Sequence, residues 1–100
     1  MEFQELQEKI YQNALNYGER FNVEIDEDFA LLKLYEEAGE LAQAVLIHNK
    51  KSRPEKHIDR DASKQRVAEE LADVMGMAIV IAKVMNIDIL EALNHKWLKE

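Results

Sequence analysis

Four carboxylates in two pairs have spacing that can do chemistry. Glu37 and Glu40 lie in "LYEEAGEL", and Glu70 and Asp73 in "AEELADV". Residues three apart on a helix are neighbours, with Cβ atoms roughly 5–6 Å apart, so each pair can aim its oxygens at one spot. At 100° per residue, Glu70 and Asp73 share a side with Val74, Met77, Ile81 and Val84. Glu37 sits beside Leu34 and Leu41 at the edge of an apolar face, and Glu40 lies one step further round with Lys33. Asp73 is the most unusual of the four. From Leu71 to Ala82 every other residue is apolar or glycine. Glu36 and Glu69 read as solvent-facing charges.

A buried carboxylate without a partner is very costly, and four that converge repel one another. Lys33 is the only cation well placed on these helix faces, and one lysine cannot neutralise four acids. A divalent metal can. The chain has no cysteine and no histidine aligned with the acids, and an all-oxygen donor set favours Mg²⁺ or Mn²⁺ over zinc. A di-iron bundle needs Glu-x-x-His on two helices, and no histidine here follows a glutamate by three.

The elements that must hold these acids are helical. Phe3, Leu6, Ile10, Ala14 and Tyr17 recur at helical steps and predict a first helix over about residues 2–19. Gly18 suits its end, and Asp26 or Asp28 can cap the next start. A second helix is expected from about Phe29 to Asn49, with Leu31, Leu34, Tyr35, Ala38, Leu41, Ala42 and Val45 as its apolar stripe. Pro54 and dense charge mark a loop, and seven of the thirteen Lys and Arg lie between Lys50 and Arg66. A third helix is expected from about Ser63 to Met85. Asp88 and Glu91 then have a capping-box layout before a fourth helix, which carries Leu90, Leu93 and Trp97 on one side. The pattern predicts an all-α, four-helix bundle-like fold in a single domain over residues 1–100.

A chain of 100 residues buries only a modest share of its surface, so a partner subunit would help it. The nearly unbroken apolar surface of the third helix points the same way, with Met75, Ile79 and Ala82 expected to meet a second subunit. The net charge of −7 argues against broad binding to nucleic-acid polymers or membrane surfaces. It leaves open a nucleotide held through cations. The start "MEFQELQEKI" does not look like a signal peptide. The apolar run is shorter than the roughly 20 residues a bilayer requires. A cytoplasmic location is expected.

"LLKLYEEAGELAQAV" followed by "VAEELADVMGMAIVIAKVMNIDILEALNHK" resembles the MazG-like nucleotide pyrophosphohydrolases of the all-α NTP pyrophosphatase superfamily. That family's pattern is EExxE on one helix and ExxD on the next long one. Glu36, Glu37 and Glu40 match the first, and Glu70 and Asp73 match the second. The resemblance covers about residues 29–98. It implies Mg²⁺-dependent hydrolysis of a nucleoside triphosphate to the monophosphate and pyrophosphate. It implies metal ligands at Glu37, Glu40, Glu70 and Asp73, with Glu36 as an extra ligand or water-orienting group, and assembly as a homodimer or homotetramer. Asn94 and Lys96 match an Asn-x-Lys that holds phosphate in the family. The basic residue that often follows is weakened or missing at Lys99-Glu100.

The chemistry suits these groups, because phosphoryl transfer needs positioning and charge neutralisation more than a covalent protein group. Glu36 or Glu40 can serve as the base that accepts the proton of water. Lys33 either touches phosphate or screens the acids. The basic loop reads as solvated surface rather than as a cover for the triphosphate, His48 and His57 as ordinary polar residues, and Tyr17, Phe21 and Trp97 as core rather than as stacking partners for a base. A nucleotide-pool house-cleaning enzyme is the leading reading. The alternatives are a phosphoribosyl-ATP pyrophosphohydrolase of the same superfamily and a non-catalytic helical oligomerisation module.

Overall fold

A computed structural model describes residues 1–98; Lys99 and Glu100, the expected place of the weakened or missing basic element, lie outside the described residues. Helix α1 runs Phe3–Phe21, α2 runs Glu27–His48, α3 runs Arg60–Val84 and α4 runs Ile89–Leu93. A tight turn over Pro54–Lys56 sits in the α2–α3 loop, and α4 widens into a π-helical turn over Asn94–Leu98. The described residues form no strand.

Aspartates start three of the helices. The Asp26 carboxylate accepts the Phe29 N–H at 2.9 Å, Asp59 accepts those of Asp61 and Ala62, and Asp88 accepts that of Glu91 at 3.0 Å. Each satisfies a backbone donor that the first turn leaves open. Because Asp59 is a cap, α3 begins at Arg60, three residues before the expected start. The ends share one device. Asn22, Lys50 and Asn86 all adopt a left-handed φ of 56°. The N–H after each reaches back to close the helix: Val23 to Gly18 O, Lys51 to Leu46 O and Ile87 to Ala82 O. Gly18 therefore does not end α1. It lies inside the helix, and a Cβ there would stand 2.5 Å from Val23 O and 2.7 Å from Ile25 Cγ1. Its role is to let the chain fold tightly back beneath α1.

Helices α2 and α3 form an antiparallel hairpin, with α1 packed on α3. His48 at the end of α2 meets Ser63 at the start of α3, Nδ1 to Oγ at 2.7 Å. Ser63 spends its own proton on Arg60 O, so His48 donates from Nδ1. The His57 Nε2–H donates to Ser52 O and ties the loop to itself. The basic loop residues Lys50, Lys51, Arg53, Lys56 and Arg60 are exposed.

The face of α2 toward α3 carries Ala30, Leu34, Glu37, Leu41, Ala44 and His48, all buried or half-buried. The expected stripe is thus displaced. Leu31, Tyr35, Ala38, Ala42 and Val45 lie outward, and only Leu34 and Leu41 of that set are half-buried. The opposing face of α3 carries Ser63, Val67, Glu70, Val74, Met77, Ile81 and Val84, also buried or half-buried. Each stripe thus carries one glutamate near its middle.

Several expected contacts differ. Ile79 and Ala82 are buried within the chain itself, so of the three residues expected to meet a partner only Met75 remains open. Tyr17, Phe21 and Trp97 are exposed rather than core. Helix α4 is short and packs chiefly on the turn that follows it, which leaves Trp97 77% exposed. The radius of gyration is 15.8 Å, against about 13 Å for a compact domain of this length.

Candidate metal centre

Glu37 reaches the centre from α2, and Glu70 and Asp73 from α3. One carboxylate oxygen of each lies within 4.8 Å of the other two. The helices fix this arrangement. Glu37 and Glu70 occupy equivalent places on facing stripes, and Asp73 stands one turn beyond Glu70 beside it. Glu37 and Glu70 are half-buried. The Oε2 atom of each is buried with no hydrogen-bond partner among the described residues. Asp73, expected inside an apolar stripe, is exposed. It faces a cavity left between α1 and the α2–α3 hairpin, which spares it the packing its apolar neighbours suggest.

Glu40 is exposed and stands outside the three-acid group, near enough to repel both Glu37 and Glu70. Burial is the largest influence on Glu37, and Glu40, Asp73 and Glu70 add repulsion; together they push its carboxyl up to about 7. Burial likewise raises Glu70, again with repulsion from Glu40 and Asp73, while Arg66 opposes the change. Carboxylates this close cannot all ionise without a counter-charge, so the protein alone keeps a proton here near neutral pH.

The other expected site residues are placed variously. Glu36 is exposed and accepts from Lys33 Nζ at 2.9 Å. That hydrogen bond is the main cause holding the Lys33 ammonium above its ordinary pKa. Lys33 also lines the cavity beside Glu37 and Asp73. Asn94 and Lys96 are exposed on the turn after α4 and line neither the cavity nor the acid cluster of their own chain.

Residues 26–99 match the MazG nucleotide pyrophosphohydrolase domain. The chain belongs to this family. No curated protein and no solved structure matches it. The match to the MazG domain opens on Asp26, the cap of α2, and takes in both acidic helices, so α1 lies outside the matched segment. The MazG acids of this chain also fit a divalent cation on their own terms. Two buried oxygens without hydrogen-bond partners and a third carboxylate close by form a hard, anionic oxygen donor set.

Two residues of the cavity were not evident from sequence. Asn13 and Phe29 line it together with Tyr17, Glu37 and Asp73. Asn13 follows Ile10 by three and precedes Tyr17 by four, so a polar residue on that otherwise apolar face of α1 was the available signal.

Proposed function

We propose that this MazG-family protein is a Mg²⁺-dependent nucleoside triphosphate pyrophosphohydrolase that releases a monophosphate and pyrophosphate and cleans the cytoplasmic nucleotide pool. The observation that carries the reading is the pair of buried, unpartnered oxygens on Glu37 and Glu70, with Asp73 within 4.8 Å. Glu37, Glu70 and Asp73 would hold Mg²⁺ or Mn²⁺, with Glu40 as a fourth donor. When bound, such an ion supplies charge neutralisation for the polyphosphate and acidifies the attacking water. The protein's own groups do the rest. Lys33, beside the cluster, meets phosphate oxygens. Glu36 or Glu40 takes the proton of the water whose oxygen bonds to phosphorus as the bridge between the α- and β-phosphates breaks. The rigid hairpin holds these groups in place, which suits a reaction governed by positioning.

The working unit is a homodimer or homotetramer in this proposal. Leu32 and Tyr35 on α2 are 69% and 83% exposed, beside an open Leu31. The terminal turn exposes Trp97 and Leu98. Apolar groups concentrated in this way mark an interaction surface. Helix α3 extends about 16 Å past Asp73 to its end at Val84, which sets Asn94 and Lys96 apart from their own acids, and in this proposal they reach the acids of a neighbouring copy.

The test is incubation with Mg²⁺ and a panel of canonical, deoxy and modified triphosphates, with phosphoribosyl-ATP included. Monophosphate plus pyrophosphate is expected. Diphosphate plus orthophosphate, or no turnover of any substrate, would overturn the reading.

A further inference from the structure

The cavity beside the acids has a volume of about 320 Å³, near the lower end of the roughly 300–1,000 Å³ typical of ligand pockets. It is continuous with the metal centre, because Glu37 and Asp73 line both. A triphosphate held at the acids has this space open beside it for its nucleoside. The wall combines aromatic and aliphatic carbon with few polar groups, of which Asn13 and Lys33 are the nitrogen donors. Lys33 is engaged with Glu36. The side chain of Asn13 makes no hydrogen bond among the described residues. An amide offers a donor and an acceptor side by side, which matches the edge of a nucleobase.

The aromatic wall has a defined capacity. The rings of Tyr17 and Phe29 lie 6.2 Å apart at a tilt of 37°. A base between them needs two stacking gaps, about 7 Å in all, so it does not fit as a sandwich. Tyr17, 43% exposed, has ring surface free for a base to lie against. The floor is open as well. Gly76 lies in the middle of α3 and lines the cavity, and a Cβ built there would meet nothing within 4 Å. Glycine weakens a helix interior relative to alanine, and no protein packing at this position requires it. An absent side chain in the floor leaves room for a ligand.

We propose that this cavity is a nucleoside pocket in which Asn13 hydrogen-bonds the edge of the base, Tyr17 stacks on its face and Gly76 keeps the floor clear. The proposal rests on the triphosphate-hydrolase reading of the adjoining acids and adds that the protein reads the base, not the polyphosphate alone. Both α1 residues lie outside the segment matched to the MazG domain, so this recognition belongs to the chain's own first helix.

Two measurements test it. In the first, metal-free protein is titrated with adenosine, guanosine, cytidine and uridine while the Asn13 side-chain amide and the Tyr17 ring are followed by NMR. At least one nucleoside is expected to shift both groups, and Asn13→Ala to abolish the response. Shifts elsewhere only, or none with any nucleoside, would overturn the pocket. In the second, Asn13→Ala and Gly76→Ala are compared with the wild type on the best triphosphate and on inorganic tripolyphosphate. Both variants should raise KM for the nucleotide about tenfold with kcat nearly kept, and leave tripolyphosphate unaffected. Gly76→Ala should do so while raising the melting temperature, which a merely structural loss would not do. Equal loss on both substrates, or no change in KM, would overturn the proposal. If the wild type hydrolyses no triphosphate, the hydrolase reading fails, and the nucleoside titration still decides the pocket.

Discussion

Glu37 and Glu70 face one another across the α2–α3 hairpin, each with one carboxylate oxygen buried and without a hydrogen-bond partner among the described residues. Both lie in the middle of stripes that are otherwise mostly apolar or small. Two like charges there destabilise the hairpin unless a cation or a proton intervenes. The relationship makes opposite demands on the metal-free and metal-loaded protein, and that opposition can be measured.

Glu37→Gln and Glu70→Gln keep the shape of the side chain and remove a charge. In the metal-free protein each should raise the melting temperature, because repulsion and the burial of charge are relieved. Each should also abolish the further rise produced by Mg²⁺ or Mn²⁺. Loss of even part of the metal's several kcal/mol should lower kcat by about 100-fold or more. Thermal scans with and without metal, alongside turnover, check all three outcomes. A variant that loses stability without metal would show that the carboxylate is needed for packing.

The pH dependence follows from the same site. Glu37 titrates at about 7 in the fold, above the roughly 4.3 of a free glutamate. Between those values the folded state binds more protons than the unfolded one, so stability falls as pH rises through the window. Glu70, also raised, adds in the same direction. Metal-free protein should therefore melt at a lower temperature at pH 7.5 than at pH 5.5. Divalent-ion affinity should run the other way and strengthen as pH rises through 7, because the ion displaces the proton. Melting curves and calorimetric titration at both pH values test the signs. Glu37→Gln should flatten both trends.

The chain reversals give a paired test. A Cβ at residue 18 would stand 2.5 Å from a backbone oxygen, so Gly18→Ala should destabilise by about 1–3 kcal/mol through overpacking. Lys50 holds a left-handed φ of 56°, a conformation that costs a non-glycine residue about 1–2 kcal/mol. Lys50→Gly should recover up to about 1 kcal/mol after the greater freedom of unfolded glycine is counted. Chemical denaturation of both variants checks the two directions.

Helical steps, the aspartate caps and the acids at three-residue spacing made the all-α fold and its main acidic positions legible in the sequence. Which face of α2 meets α3 was not legible, and the physical reason is specific. That helix is apolar on more than one side, so Leu31, Tyr35 and Val45 compete on pattern alone with Ala30, Ala44 and Ile47 for the buried face. Small alanines win the inner face because they let the helices approach closely. The exposure of Asp73 was not legible for a related reason: linear neighbours report the apolar character of a helix, not the cavity that opens beside one residue. Asn13, a single amide in an amphipathic helix, carries little weight until α3 and the acids stand opposite it.

The open apolar surfaces lead to the last test. If a second copy covers Leu32 and Tyr35, Tyr35→Glu should convert the assembly toward monomers in light scattering at micromolar concentration. Activity should fall with it, because Asn94 and Lys96 would then be withheld from the acids of the neighbouring copy. Complementation separates this from misfolding. Asp73→Asn and Lys96→Ala should each be inactive alone. Mixed under conditions that exchange subunits, a dimer with shared sites places both defects in one site and none in the other. Half the dimers are then mixed, so activity should return to roughly a quarter of the wild-type value. Recovery of that size requires that residues of one copy serve the acids of another. No recovery despite demonstrated exchange would place each complete site within a single chain, with Lys96 reaching its own acids by a rearrangement of α4.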